Sequence, residues 1–293
     1  MTEERYGGEG RALGVSSPGI HAPGSRTPEV AASGYSASTI PAPGECHLWH
    51  VPVRERPDWL TLLDREERAG ADRFAAGPAR EVFVTSRAAQ RLVGAHYLGL
   101  PPGGIVITRD CDHCETPTAI PHGRPCFAHG TPAPVDYSVS HTSEHLLIAV
   151  TGYGAVGVDI ESGTSIRDVD GLARTAFTPG EQERFATLPA SDRTRGFLTA
   201  WTRKEAAMKL TGLGLRASPR HLDVSGPLVS AGPVTGWPDA PVHLYDLPAP
   251  EGHAAALASN APVTRVRTYE LPEAAASGFI RRGFTPCLET TPR

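Results

Sequence analysis

The chain runs through helices and then strands twice over, and that order constrains its fold more than any single motif does. In the first half, "DWLTLLDREERAGADRFA" (58–75) and "REVFVTSRAAQRLVGAHYLGL" (80–100) carry helical periodicity, the second closing before Pro101. "CHLWHVPV" (46–53), where Leu48, His50 and Pro52 alternate with Trp49, Val51 and Val53, reads as a strand. So do "GIVITRD" (104–110) and "HLLIAVTG" (145–152), with a Pro-, Gly-, His- and Cys-rich loop (110–135) between them. The second half opens on a strand at "AVGVDIE" (155–161). It passes through helices at "DGLARTAFTPGEQERFATL" (170–188) and "TRGFLTAWTRKEAAMKLTG" (194–212), and returns to strands at "VHLYDL" (242–247) and "GHAAALAS" (252–259). No dependable βαβ alternation links these elements, so the expected class is α+β.

A length of 293 residues fits one large domain or two modest ones. Residues 1–44 are Gly, Ser, Ala and Pro with scattered charges and no periodicity; such a segment buries too little apolar surface to offset its ordering entropy, and a disordered extension is expected. Lobes at 45–155 and 156–272 and a loosely held tail at 273–293 complete the expected organisation. The net charge of −4 argues against broad nucleic-acid binding, which usually leaves a basic footprint. No apolar run approaches the roughly 18 residues of a membrane span, so no membrane partner is expected. The start "MTEERYGGEG" has neither a basic nor an apolar leader region. Five cysteines at irregular spacing do not suggest a disulfide framework, and a reduced cytoplasm is the expected location.

Three stretches carry chemistry. In "GVDIE" the alternation of a strand puts Val156, Val158 and Ile160 on one face and Gly157, Asp159 and Glu161 on the other. Two carboxylates on one face suit a hard cation such as Mg²⁺, although the same pattern fits an amphipathic strand with a solvated face. In "AWTRKEAAMKLTG", Phe197, Trp201, Glu205 and Lys209 are spaced four apart and form one helical row. The chain has 28 basic residues, of which only Lys204 and Lys209 are lysines and 26 are arginines. Lysine kept against such a background points to a need for a compact ammonium, beyond an ordinary surface Glu-to-Lys pair. "SVSHTS" supplies Ser140 and His141, a hydroxyl and an imidazole at a strand entrance that could hold a phosphate, where the plainer reading is a packed or surface histidine. Arg80, Arg87 and Arg91 share a helical face that also reads as a solvated arginine stripe. A zinc clip at Cys111 and Cys114, with His113, His122 and Cys126 nearby, is the weaker reading of the loop: there is no second CxxC, and the spacing matches no standard finger.

Together, "SVSHTS", "VGVDIE" and "AWTRKEAAMKLTGLGL", in this order and spacing, resemble the Sfp-type 4′-phosphopantetheinyl transferases, with "DREERAGADRF" and "HGRP" as supporting matches. The resemblance covers about residues 46–265. It implies two pseudo-symmetric α+β lobes in one chain, with the active site in the cleft between them. It also implies transfer of the 4′-phosphopantetheine arm of coenzyme A to a serine of an apo acyl or peptidyl carrier protein, releasing 3′,5′-ADP, in fatty acid, polyketide or nonribosomal peptide synthesis. By resemblance, Asp159, Glu161 and Glu205 hold Mg²⁺, while Ser140, His141 and Lys209 contact phosphates or nucleotide. Glu205, Lys209 and His141 are then the catalytic set. Arg124 stands where many relatives have lysine, and His122 precedes it in the same motif. Arg73, Arg80 and Arg87 are the candidates for a basic contact that relatives carry near the "RAGADRF" helix, where Gly70 stands here. A monomer is expected. The rival readings are a metal-dependent phosphodiesterase, since D-x-E plus a distant Glu also suits hydrolytic sites, and a non-catalytic coenzyme A-binding adaptor.

Overall fold

Strand β1 (Glu45–Pro52) is followed by a 3₁₀ turn (Pro57–Leu62) and helices α1 (Arg65–Ala71) and α2 (Pro78–Leu98). The single helix predicted over 58–75 is broken because Asp64 leaves the helical region to cap α1, accepting from the Glu67 amide while Glu67 reaches back to the Asp64 amide. Then come β2 (Ile107–Asp110), β3 (Arg124–Phe127), β4 (Asp136–His141), β5 (His145–Thr151) and β6 (Val156–Ser162). Helices α3 (Val169–Ala176), α4 (Pro179–Ala186) and α5 (Ala190–Thr211) follow. The predicted helix 170–188 is two helices, since Pro179 drives Thr178 out of the α region and Thr178 becomes the cap of α4. Strands β7 (Leu222–Asp223), β8 (Ser230–Ala231), β9 (His243–Leu247), β10 (His253–Ser259), β11 (Arg265–Glu270) and β12 (Leu288–Thr290) complete the set among the described residues. This computed structural model describes residues 40–110, 123–128, 134–271 and 288–291. Most of the expected extension 1–44 and tail 273–293, together with His122 and the Cys111/Cys114 pair, lies outside the described residues.

A five-stranded sheet in the order β12-β11-β1-β5-β4 and a three-stranded sheet β6-β10-β9 build an α+β fold. β11 pairs in parallel with β1, from Glu45 opposite Arg265 to His50 opposite Glu270, and the other ladders are antiparallel. The two faces of β1 and β5 serve different cores. Trwo-faced burial of this kind follows from strand alternation: Trp49, Val51, Leu146, Ile148 and Val150 pack beneath α2 with Leu92, Val93 and Leu98. Cys46, Leu48, Leu147 and Ala149 turn the other way, onto Val156, Val158, Ile160 and Leu257 of the second sheet. On the far side of that sheet Ala256 and Ala258 meet Ala206, Ala207 and Leu210 of α5. The order is α2, first sheet, second sheet, α5, and all of these elements lie within one compact unit, Gly34–Arg293.

Candidate active site

Helix α5 approaches β6 closely because Gly157 has no side chain: a Cβ there would sit 2.0 Å from the Ala206 carbonyl oxygen. That contact sets the face carrying Asp159 against the helix row carrying Glu205 and Lys209. Edge strand β4 brings Ser140 to the same place. Lys209 Nζ donates to Ser140 Oγ at 2.8 Å and to Asp159 Oδ1 at 2.6 Å, and the Ser140 hydroxyl donates to Asp159 Oδ1 at 2.7 Å. Ser140 and Asp159 are both buried. The second oxygen of Asp159, Oδ2, is buried with no hydrogen-bond partner. An ionised carboxylate oxygen left so is costly unless a cation or a donor comes to it.

Glu161 and Glu205 face the same space. Trp201, in the same helical row, donates from Nε1 to Glu161 Oε1 at 3.3 Å. Burial first, and Asp159 second, raise Glu161 above the usual carboxylate value. The same two causes lift Glu205 to about 7, against the pull of Lys209. His141, exposed at the cleft mouth, is pushed below the ordinary imidazole value by desolvation and then by Lys209. The oxygens of Asp159, Glu161 and Glu205 do not all lie within 4.8 Å of one another. Mg²⁺ binds through few protein carboxylates plus water and substrate oxygens, so this open all-oxygen donor set, with the orphaned Oδ2, fits it.

These residues line a cleft of about 630 Å³. Its opposite wall is one face of α2, where Phe83, Ser86, Arg87 and Gln90 follow the i, i+3, i+4, i+7 spacing. Arg87 lies over the Phe83 ring at 5.1 Å, and Arg109 donates to Gln90 Oε1 at 3.2 Å. Gly212, the left-handed cap of α5 with φ 70°, and Gly214 close the rim. Sequence reasoning missed Ser86, Gln90 and Arg109. The helical spacing through Arg87 was the signal for the first two, whereas Arg109 arrives through the β2–β3 ribbon and left none.

Other expected contacts are placed differently. Arg124 lines the cleft, but its guanidinium is an ion-pair partner of Asp136 and also donates to the Val156 carbonyl at 2.7 Å. It fastens β3 to β4 and β6. Arg73 and Arg80 lie outside the cleft, Arg80 at the first turn of α2 and 3.7 Å from Asp72. Arg91 is no part of a solvated stripe: it is buried, holding Asp64 at 2.6 Å, Glu67 and the Ile105 carbonyl. Lys204 is fully buried away from the cleft. Its ammonium donates to Glu181 Oε2 at 2.6 Å, to the Pro219 carbonyl at 2.9 Å and to the Leu222 carbonyl.

The stretch that supplies both β6 and α5, residues 155–258, matches the family model of the 4′-phosphopantetheinyl transferase superfamily. Over this stretch the chain is similar to that superfamily. Among similar transferases, HetI of Nostoc sp. is 28% identical over 176 residues, covering 58% of this chain and 70% of HetI. The protein slr0495 of Synechocystis sp. is 28% identical over 170 residues, covering 57% of this chain and 65% of slr0495. AcpT of Salmonella typhimurium is 31% identical over 90 residues, which is 31% of this chain and 46% of AcpT. The chain thus spans about two thirds of HetI and slr0495, and HetI and AcpT are both named 4′-phosphopantetheinyl transferases. Among the described residues, no helix is long and apolar enough to cross a membrane.

Proposed function

We propose that the chain transfers the 4′-phosphopantetheine arm of coenzyme A to a serine of an apo carrier protein. The observation that carries this reading is the meeting of all three motifs at one point, where Lys209 joins Ser140 and Asp159 beside a carboxylate, Glu205, held near neutrality. The carrier serine oxygen attacks the β-phosphorus of coenzyme A while its proton passes to Glu205. The bond to the bridging oxygen breaks, and 3′,5′-ADP leaves with that oxygen. Lys209 and His141 face the phosphate oxygens on which charge accumulates. Asp159, Glu161 and Glu205 would hold Mg²⁺, which supplies charge neutralisation for the pyrophosphate. Arg87 and Arg109, the cations on the opposite wall, meet the remaining phosphate.

The test is to mix the protein with Mg²⁺, coenzyme A and apo carrier proteins from fatty acid, polyketide and nonribosomal peptide systems. The expected result is the mass of the phosphopantetheine adduct on the carrier with stoichiometric 3′,5′-ADP. Release of 3′,5′-ADP without any carrier would instead mark hydrolysis.

A further inference from the structure

A second cluster of metal-ligating side chains lies outside the cleft, where the hairpin between β4 and β5 approaches the start of β10. Glu144, His145 and His253 each place one ligand atom there, all within 4.8 Å of one another. None of the three lines the cleft. The tautomer of His253 is fixed by its surroundings: Nδ1 lies 3.0 Å from the Glu251 carbonyl oxygen, an acceptor only, so Nδ1 carries the proton. In the neutral ring Nε2 is then the lone pair free to bind a cation. The His253 side chain is 4% exposed, and Nε2 is buried without a hydrogen-bond partner. It points at Glu144 Oε2, 3.7 Å away, which is too long for a hydrogen bond. Two acceptors facing each other at that spacing lack the cation that would satisfy both. Tetrahedral ligands bound at zinc–nitrogen and zinc–oxygen lengths stand about 3.3 Å apart, so only a small movement of the exposed Glu144 completes the geometry.

We propose that Glu144, His145 and His253 form a binding site for a divalent transition ion of the Zn²⁺ class, which clips the first sheet to the second. The donor set decides the class. Imidazole nitrogen suits zinc and its neighbours, whereas the all-oxygen cleft suits Mg²⁺, so the two sites separate the metals by chemistry. His50 supplies outer support, its Nε2 standing 3.0 Å from His145 Nδ1 and orienting that ring. The hairpin itself is preset: Thr142 Oγ accepts from the amides of Glu144 at 3.3 Å and His145 at 3.1 Å. β5 belongs to the five-stranded sheet and β10 to the three-stranded sheet, so an ion here joins elements that no strand ladder joins.

The experiment uses the full chain carrying Cys111→Ser and Cys114→Ser, in saturating Mg²⁺ to occupy the acidic cleft, titrated with Zn²⁺ by calorimetry. One equivalent of Zn²⁺ should bind and raise Tm. His253→Gln on the same background should abolish that equivalent. Glu144→Gln should weaken it by about 10- to 100-fold while leaving the metal-free Tm unchanged, since Glu144 is exposed. Failure of the parent to bind Zn²⁺, or binding by Glu144→Gln and His253→Gln equal to the parent's, overturns the proposal.

Discussion

The two lysines among 26 arginines sit in different places, Lys209 in the cleft and Lys204 buried away from it. Lys204 spends its three donors on Glu181 and the carbonyls of Pro219 and Leu222, a three-way convergence that a planar guanidinium cannot match. Glu181 in turn accepts from the amides of Thr178 and Val224, both at 2.9 Å, so this ion pair joins α4, α5 and the strand at β7. Lys204 is thus a buried tie rather than a group of the cleft. Lys204→Met leaves the Glu181 carboxylate buried without its cation and should cost about 3–5 kcal/mol in urea unfolding. Lys209→Arg should leave the urea midpoint near wild type and lower kcat by at least about tenfold, because the fork cannot reach Ser140 and Asp159 together. Wild-type turnover in Lys209→Arg would remove the ammonium from the mechanism. In the proposed role of base, Glu205 acts only when ionised. With its value near 7, kcat/KM should rise as pH increases through that point, and the limb should move to lower pH as Mg²⁺ is raised, since a nearby cation favours the carboxylate. A pH–rate series at two Mg²⁺ concentrations checks both.

At the scale of elements, the distance between α5 and β6 sets the site, and Gly157 sets that distance. A methyl group there meets the backbone of Ala206 and Leu210, neither of which can rotate away. Gly157→Ala should therefore destabilise by about 1–3 kcal/mol or more and also lower kcat, as Lys209 is carried away from Asp159. A normal kcat in a folded Gly157→Ala protein would show that the site tolerates the shift. Between α4 and α5 a groove of about 360 Å³ presents Arg195, which is 80% exposed on its side chain. Carrier docking there is a proposal about Arg195 rather than Arg193, because Arg193 is held by Asp170 at 3.0 Å, and Phe185 is buried against Phe177. Arg195→Glu should raise the KM for carrier and spare that for coenzyme A; equal KM values would exclude this groove. Much of this was legible beforehand. The strand face of Asp159 and Glu161 and the four-residue row of α5 follow directly from periods of 2 and 3.6. Helix breaks at Asp64 and Thr178 were not, since a cap competes with periodicity that runs on past it. Strands β3 and β11 escaped notice because the ladders that hold them, to β2 and to β1, are made by partners outside their own stretch of sequence.

For the molecule as a whole, acid should act through its histidines. His47, His50, His96, His141 and His145 are all pushed below the ordinary value of 6.5, chiefly by burial, and His96 reaches about 4. The unfolded chain takes up protons near pH 6.5 that the folded chain refuses, so their contribution is complete above 6.5 and is lost as pH falls toward 4. Glu161 and Glu205, raised in the fold, act with the opposite sign. Urea midpoints without added metal, between pH 7 and 4.5, should therefore fall less steeply in His96→Gln than in wild type, and more steeply in Glu205→Gln. Parallel curves for all three proteins would contradict this assignment. The parallel pairing of β1 with β11 carries a consequence for the chain as it is made. Glu45 meets Arg265, so about 220 residues must be added before the parallel partner of β1 exists, and until then only its β5 side can be paired. At ribosomal speeds of roughly 5–20 residues per second that interval is on the order of 10–40 s. Throughout it, β1 presents an open strand edge with Trp49 and Val51 beside it, the kind of surface that seeds pairing with a neighbouring nascent chain. Yield from a cell should then depend on how well that edge is sheltered during translation, more than on the stability of the finished fold.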